Sequence, residues 1–174
     1  MSENENMELE TEQTGQETGG AGADPEPTPV TSSSVINQVV EAVITMMNTR
    51  TYFASVSRGA LPTGVGLVCE VGPSIFSSMH MDKALVYPLD LTLNGKHGDL
   101  RTLSDAMNGI HSHLTFSREY PADSSGMWQI IDILNGTAPQ IIGREENNEW
   151  LMASSLTVKF YWKGEMTGNA ESQS

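Results

Sequence analysis

Residues 85–114, LVYPLDLTLNGKHGDLRTLSDAMNGIHSHL, change hydrophobic period halfway along, and that change decides the fold. Leu85, Tyr87, Leu89, Leu91 and Leu93 alternate with Val86, Pro88, Asp90 and Thr92, the period of a strand with one buried face. Asn94-Gly95 is expected to end that strand. Leu100, Leu103, Met107, Ile110 and Leu114 then recur at spacings of three and four, which lines them along one stripe of a helix. Each such side chain contributes roughly 1.5–3 kcal/mol when fully buried, so the helix needs a sheet to lie on.

The flanking sequence supplies that sheet. Upstream, the Thr31–Ser34 cluster offers N-caps for a first helix in which Val35, Ile36, Val39, Val40, Val43, Ile44 and Met47 share a face. Its β-branched content lowers intrinsic helix propensity, so it depends on packing. Tyr52–Ser57 reads as a short strand, Ala60–Gly66 as a loop and Gly66–Val71 as a further strand. Between Gly72 and Lys83, Ile75, Phe76, Met79 and Met81 follow no period; that stretch either folds back on the core or meets a neighbouring subunit.

Downstream, Tyr120-Pro121 opens a polar turn, and Trp128–Leu134 reads as a strand. Ile130 and Leu134 are expected on one face of it and Ile131 and Ile133 on the other. Asn135-Gly136 is expected to end it, with Pro139, Ile141 and Ile142 leading into a charged loop. The last strand, Trp150–Trp162, alternates Leu156, Val158, Phe160 and Trp162 with Ser155, Thr157, Lys159 and Tyr161, and is expected to be the longest. Short polar turns between neighbouring strands imply antiparallel pairing. The fold class expected is α+β, a small antiparallel sheet of about four to five strands with two helices packed on one face.

Residues 34–163 hold that domain. Residues 1–33 form an acidic tail and linker rich in Pro, Gly, Ser and Thr, of the kind expected to be disordered in isolation, and residues 164–174 form a polar C-terminal tail. The 174-residue chain carries 22 acids and 9 bases, a formal charge of −13; eight acids and no base lie in residues 1–27. The remaining body, 14 acids against 9 bases, does not suit gripping nucleic-acid phosphates, which takes clustered Lys and Arg. DNA sliding past a negative wall remains compatible with it. Cys69 is the only cysteine, so an intrachain disulfide is impossible and a reducing cytoplasm is expected. No apolar run approaches the roughly 18 residues that span a bilayer, and no membrane association is expected.

Catalytic motifs are missing from the pattern. His111 and His113 stand two apart on the second helix, unsuited to one zinc ion, and read as solvated. No Gly-x-Ser-x-Gly elbow appears, Gly64-Val65-Gly66 lacks the rest of a dinucleotide loop, and no P-loop ending is present. Glu145-Glu146 sits in a polar loop, where carboxylates are solvated. No cofactor and no metal are expected. The consecutive aromatics Phe160, Tyr161 and Trp162 must turn at least one ring away from the helices, and with Ile131 and Ile133 they point to a subunit interface.

Two stretches, YPLDLTLNGKHGDLRTLSDAMNGIHSHL and YPADSSGMWQIIDILNGTAPQIIGREENNEWLMASSLTVKFYW, resemble the minor capsid or tail-terminator family of long-tailed bacteriophages. The likeness spans about residues 84–163 and, more loosely, 35–48. It rests on the strand and helix, the Trp-x-Ile-x-x-Ile strand from Trp128, the acidic GREENNEW turn and the aromatic end of the last strand. The resemblance implies a structural virion protein, assembled in the host cytoplasm and resident in the tail neck. Six copies would form a ring that caps the tail tube and joins it to a head-side connector, with DNA passing through unbound. It makes Ile75, Phe76, Met79, Met81, Ile131, Ile133 and Tyr161 candidates for the subunit or tail-tube interface, and Asp123, Glu145, Glu146 and Glu149 candidates for channel-lining acids. Alternative readings are a head-completion or neck adaptor, a small hydrolase using His97 or His111, and an acidic DNA mimic.

Overall fold

The computed structural model describes residues 32–72, 78–79 and 85–163. Two helices, α1 (Ser32–Met47) and α2 (Leu100–Thr115), accompany six strands: β1 (Val56–Arg58), β2 (Gly66–Val71), β3 (Ser78–Met79), β4 (Leu85–His97), β5 (Trp128–Arg144) and β6 (Trp150–Trp162). The strands form one sheet in the order β1-β2-β4-β6-β5, with β3 paired to β4. The fold is α+β, and one core joins both helices to one sheet face. The acidic segment before Ser32, residues 164–174, Ile75, Phe76, His80 and Met81 lie outside the described residues. Met79 belongs to β3, opposite Leu85.

The alternation read in residues 85–93 places Leu89, Leu91 and Leu93 fully inside, under the α2 stripe of Leu103, Met107, Ile110 and Leu114. Asp99 caps α2, its carboxylate accepting from Thr102 N–H at 3.0 Å and from Thr102 Oγ1 at 2.6 Å. Asn94-Gly95, however, does not end β4. Asn94 and Gly95 are laddered on both sides, to Val68 and Leu67 of β2 and to Ala153 and Met152 of β6. The glycine answers a packing need there instead of a turn. A Cβ on Gly95 would stand 2.7 Å from Leu103 Cδ1, 3.0 Å from Leu67 Cδ2 and 3.2 Å from Met107 Sδ. Its bare backbone lets α2 settle onto the sheet.

Asn135-Gly136 likewise lies inside β5, which continues to Arg144 and, at 17 residues, is longer than the 13-residue β6. Four register shifts interrupt its pairing with β6. Those bulges let a sequence studded with Gly136 and Pro139 remain a strand, because each absorbs a residue that the ladder cannot use.

At the opposite edge, β1 is shorter than expected and runs parallel to β2, so the sheet is mixed. Residues 59–65 return the chain past a three-residue strand, beginning at Gly59 with φ of 116°. Asn48, just past α1, takes the place of a strand partner: its Nδ2 donates to Val56 O and its Oδ1 accepts from Val56 N–H, both at 2.8 Å. Trp128 Nε1 donates to Gln38 Oε1 at 2.8 Å and ties α1 to the start of β5.

Gly95→Ala is expected to destabilise the chain by about 1–3 kcal/mol, the cost of overpacking a filled core. Gly98→Ala, with nothing within 4 Å of the new methyl group, should change stability far less. Urea unfolding of the two variants checks the contrast.

Candidate functional site

β5 is the long edge strand of the sheet, covered by residues 121–123 only along residues 128–130, and its outward residues define the first candidate surface. The bulge between Ile130 and Asp132 changes which residues face out. Ile131 drops out of the ladder and is 49% exposed, whereas Ile133 shares the face of Ile130 and is 1% exposed. Ile133 is therefore a core residue, a correction to the expected alternation, and Leu134 takes the outward place opposite Thr157. One unpaired residue reverses the parity of all that follow, and period-two reading of the sequence has no means of seeing it. Farther along, Ile141 and Ile142 are each about half exposed.

The aromatic end of β6 divides as its parity requires. Phe160 is buried and stacks on Tyr87 at 5.5 Å, and Trp162 tilts against the same ring at 5.8 Å. Tyr161 lies on the open face, half-buried, opposite Val86 and Gln129.

The charged loop between β5 and β6 is the second feature. Lys96 points from the open face of β4 and is 3% exposed. Its Nζ donates to Thr63 O at 2.9 Å and meets Glu145 Oε2 at 3.3 Å and Glu149 Oε2 at 3.6 Å. The buried ammonium thus makes two hydrogen bonds and a further ion pair with Glu149, the compensation that its burial requires. The result is a latch that holds the β5–β6 tip against the loop before β2. Asn148, with φ of 67°, turns the tip, and Arg144 lies 4.7 Å over the Trp150 ring.

Of the four acids expected to act together, Glu145 and Glu149 are brought to Lys96 while Glu146 is exposed. Asp123 lies before β5, at the far end of that strand from the other three. Ser125 hydrogen-bonds to its carboxylate and holds its pKa below the usual carboxylate range. The structure does not gather these acids into one patch.

His111 overturns the expectation of a solvated helix histidine. It is 5% exposed, between α2 and the sheet. Nδ1 lies 2.8 Å from Asn135 Oδ1, and Nε2 lies 2.8 Å from Ser154 Oγ. The amide oxygen requires a proton on Nδ1, so Nε2 accepts from the serine hydroxyl. This Ser-His-Asn chain has the connectivity of an activated nucleophile, but Ser154 is 3% exposed, beneath the helix, where a substrate has no approach. Its chemistry is that of a satisfied buried polar network. The sequence did carry the signal, since His111 falls on the stripe of Met107, Ile110 and Leu114.

The other described histidines are similarly engaged. His113 Nε2 meets Thr49 Oγ1 at 2.9 Å and Met46 O at 3.1 Å, and His97 packs 4.7 Å from the Phe53 ring. Burial pushes the Cys69 thiol up to about 12, which leaves no thiolate for nucleophilic work. An open depression of about 460 Å³ beside the end of α1 is lined by Ala42, Met46, Tyr120 and Pro121, with Glu119 its one carboxylate. Among the described residues, no cluster of three or more His, Cys, Asp or Glu side chains is arranged to hold a metal ion.

No family model matches the chain, and no curated protein matches it. Among solved structures, the chain is similar to one from the virion of a native gene transfer agent particle, with 11% sequence identity and a TM-score of 0.43, over 72% of this chain and 91% of that one.

Two predictions follow from the latch and the buried histidine. Lys96→Met should cost about 2 kcal/mol, because Glu145 and Thr63 O lose a buried partner while Glu145 keeps partial solvation. Faster amide hydrogen exchange at residues 143–151 than in the parent chain would accompany it. For His111, burial lowers the folded-state pKa below the ordinary 6.5, so the unfolded chain protonates first as the pH falls. The histidine's contribution to stability is complete above about 6.5 and is lost progressively below it. His111→Gln should flatten that part of the stability–pH curve, as urea midpoints across the range would record.

Proposed function

We propose that this chain is a structural virion protein, a tail terminator whose copies close into a ring that caps the tail tube and joins it to a head-side connector. The observation that carries this reading is the β5 edge. It is a 17-residue strand whose first residues, 128–130, pair with residues 121–123 on the side away from β6; beyond them that side is open, the strand exposes Ile131, Leu134, Ile141 and Ile142, and it bears only Asp132 and Arg144 as charges. In a chain of formal charge −13, this is a locally neutral, apolar strip where acidic copies can meet without mutual repulsion. The opposite edge, β1, differs from it in length and direction, so contact between unlike edges is head-to-tail, the geometry that closes rings. Six copies is the count that the sequence resemblance implies.

Tyr161 and β3, with Met79, are proposed to extend this contact at the other end of the open face. DNA is proposed to pass through the ring without specific binding. Glu146 is the acid of the original four left exposed and unpaired at the hairpin tip, and it supports a repelling lumen.

The test combines mass and morphology. Native mass measurement of the full chain, alone and with tail-tube protein, should give a closed ring. Ile131→Lys with Leu134→Lys should reduce it to smaller species while changing monomer stability by less than about 1 kcal/mol, as surface substitutions do. Loss of the gene should leave overlong tubes and unjoined heads. Normal tails with leaky heads would instead favour a head-completion adaptor, and a persistent monomer with normal particles would overturn both readings.

A further inference from the structure

The chain contains two Asn-Gly pairs in strands, and their environments are opposite. Asn94-Gly95 lies in central β4, paired on both sides, with Gly95 packed against Leu103 and Met107 of α2 and Asn94 half-buried on the open face. Asn135-Gly136 lies in the edge strand, where Asn135 is exposed and Gly136 is skipped by the register, which steps from Asn135–Leu156 to Thr137–Ser155. We propose that Asn135 is a site of spontaneous covalent modification, its side-chain amide converting to a carboxylate through a cyclic imide while Asn94 is protected.

In this step the backbone nitrogen of Gly136 attacks Cγ of Asn135. The new N–Cγ bond replaces the bond from Cγ to the amide nitrogen, which departs with the displaced proton as ammonia. One water then opens the ring at either carbonyl and leaves aspartate or isoaspartate. The sum is amide plus water to acid plus ammonia, with no change in oxidation state.

Attack requires the dipeptide to leave the extended conformation. At the bulge this disturbs pairing with one neighbour, and Gly136 has no side chain to obstruct the approach. At Asn94 it requires opening two ladders, in backbone on which α2 rests at Gly95. His111 adds a chemical contribution at Asn135: Nδ1–H donates to Oδ1 at 2.8 Å and polarises the carbonyl under attack. The product carboxylate would stand beside that imidazole, within the Ser154–His111 network.

The experiment ages the full-length chain at mildly alkaline pH and follows both sites by peptide mass mapping and by enzymatic methylation of isoaspartate. The Asn135 peptide should convert at least about tenfold faster than the Asn94 peptide, and the two rates should converge in concentrated urea, where both dipeptides are free. Equal rates in the folded chain, faster conversion at Asn94, or an Asn135 peptide that stays unmodified while the urea sample reacts would each overturn the proposal.

Discussion

The close approach of α2 to the β4–β6–β5 face is the constraint on which the rest depends. Leu103, Met107, Ile110 and Leu114 lie against Leu91, Leu93, Leu156 and Val158 in a fully buried layer. That contact is possible because β4 presents a bare backbone at Gly95, where any side chain would meet Leu103, Leu67 and Met107. The same approach buries His111, and a buried imidazole must find polar partners; Asn135 and Ser154 supply them from the two neighbouring strands. One steric allowance in β4 thus leads to a polar network between β5, β6 and α2.

The sheet's two faces divide the labour. The covered face is apolar and sets stability. The open face is polar along its middle, where Thr157 donates to Asp90 at 2.7 Å, and it is closed at one end by the Lys96 latch. This latch has a consequence for the β5 edge. It anchors the tip of a long hairpin whose inner strand is secured by β4 along its whole length, while its outer strand is flanked on its far side only at its start, by residues 121–123. Bulges and Pro139 discourage indiscriminate pairing along that edge, a common restraint on exposed strands. The proposed assembly contact therefore rests on a preformed surface and needs little ordering when copies meet.

Buried polar chemistry in this chain stabilises, and the geometry separates that role from catalysis. A serine, an imidazole and an amide are linked at catalytic distances, yet the hydroxyl sits beneath a helix. Lys96 and two glutamates form a charge cluster, yet the ammonium is held by two hydrogen bonds and two carboxylates and is buried. Access and spare valence, more than residue type, distinguish a site from a strut.

What the amino-acid order determined by itself was the kind and placement of the main elements. The β2 and β6 boundaries, both helices, the buried stripe of α2 and the α+β class follow from hydrophobic periodicity, a local property that one strand or helix expresses alone. The two strand Asn-Gly pairs do not form the turns their composition suggests, because the same dipeptide serves a turn, a bulge or a close helix contact, and only neighbours distant in sequence decide which. The inward turn of Ile133, the burial of His111 and the pairing of Lys96 with Glu145 and Glu149 belong to tertiary structure for the same reason. Each depends on a partner 24 to 53 positions away, brought near by strand register, and register is a property of paired strands that no single strand contains.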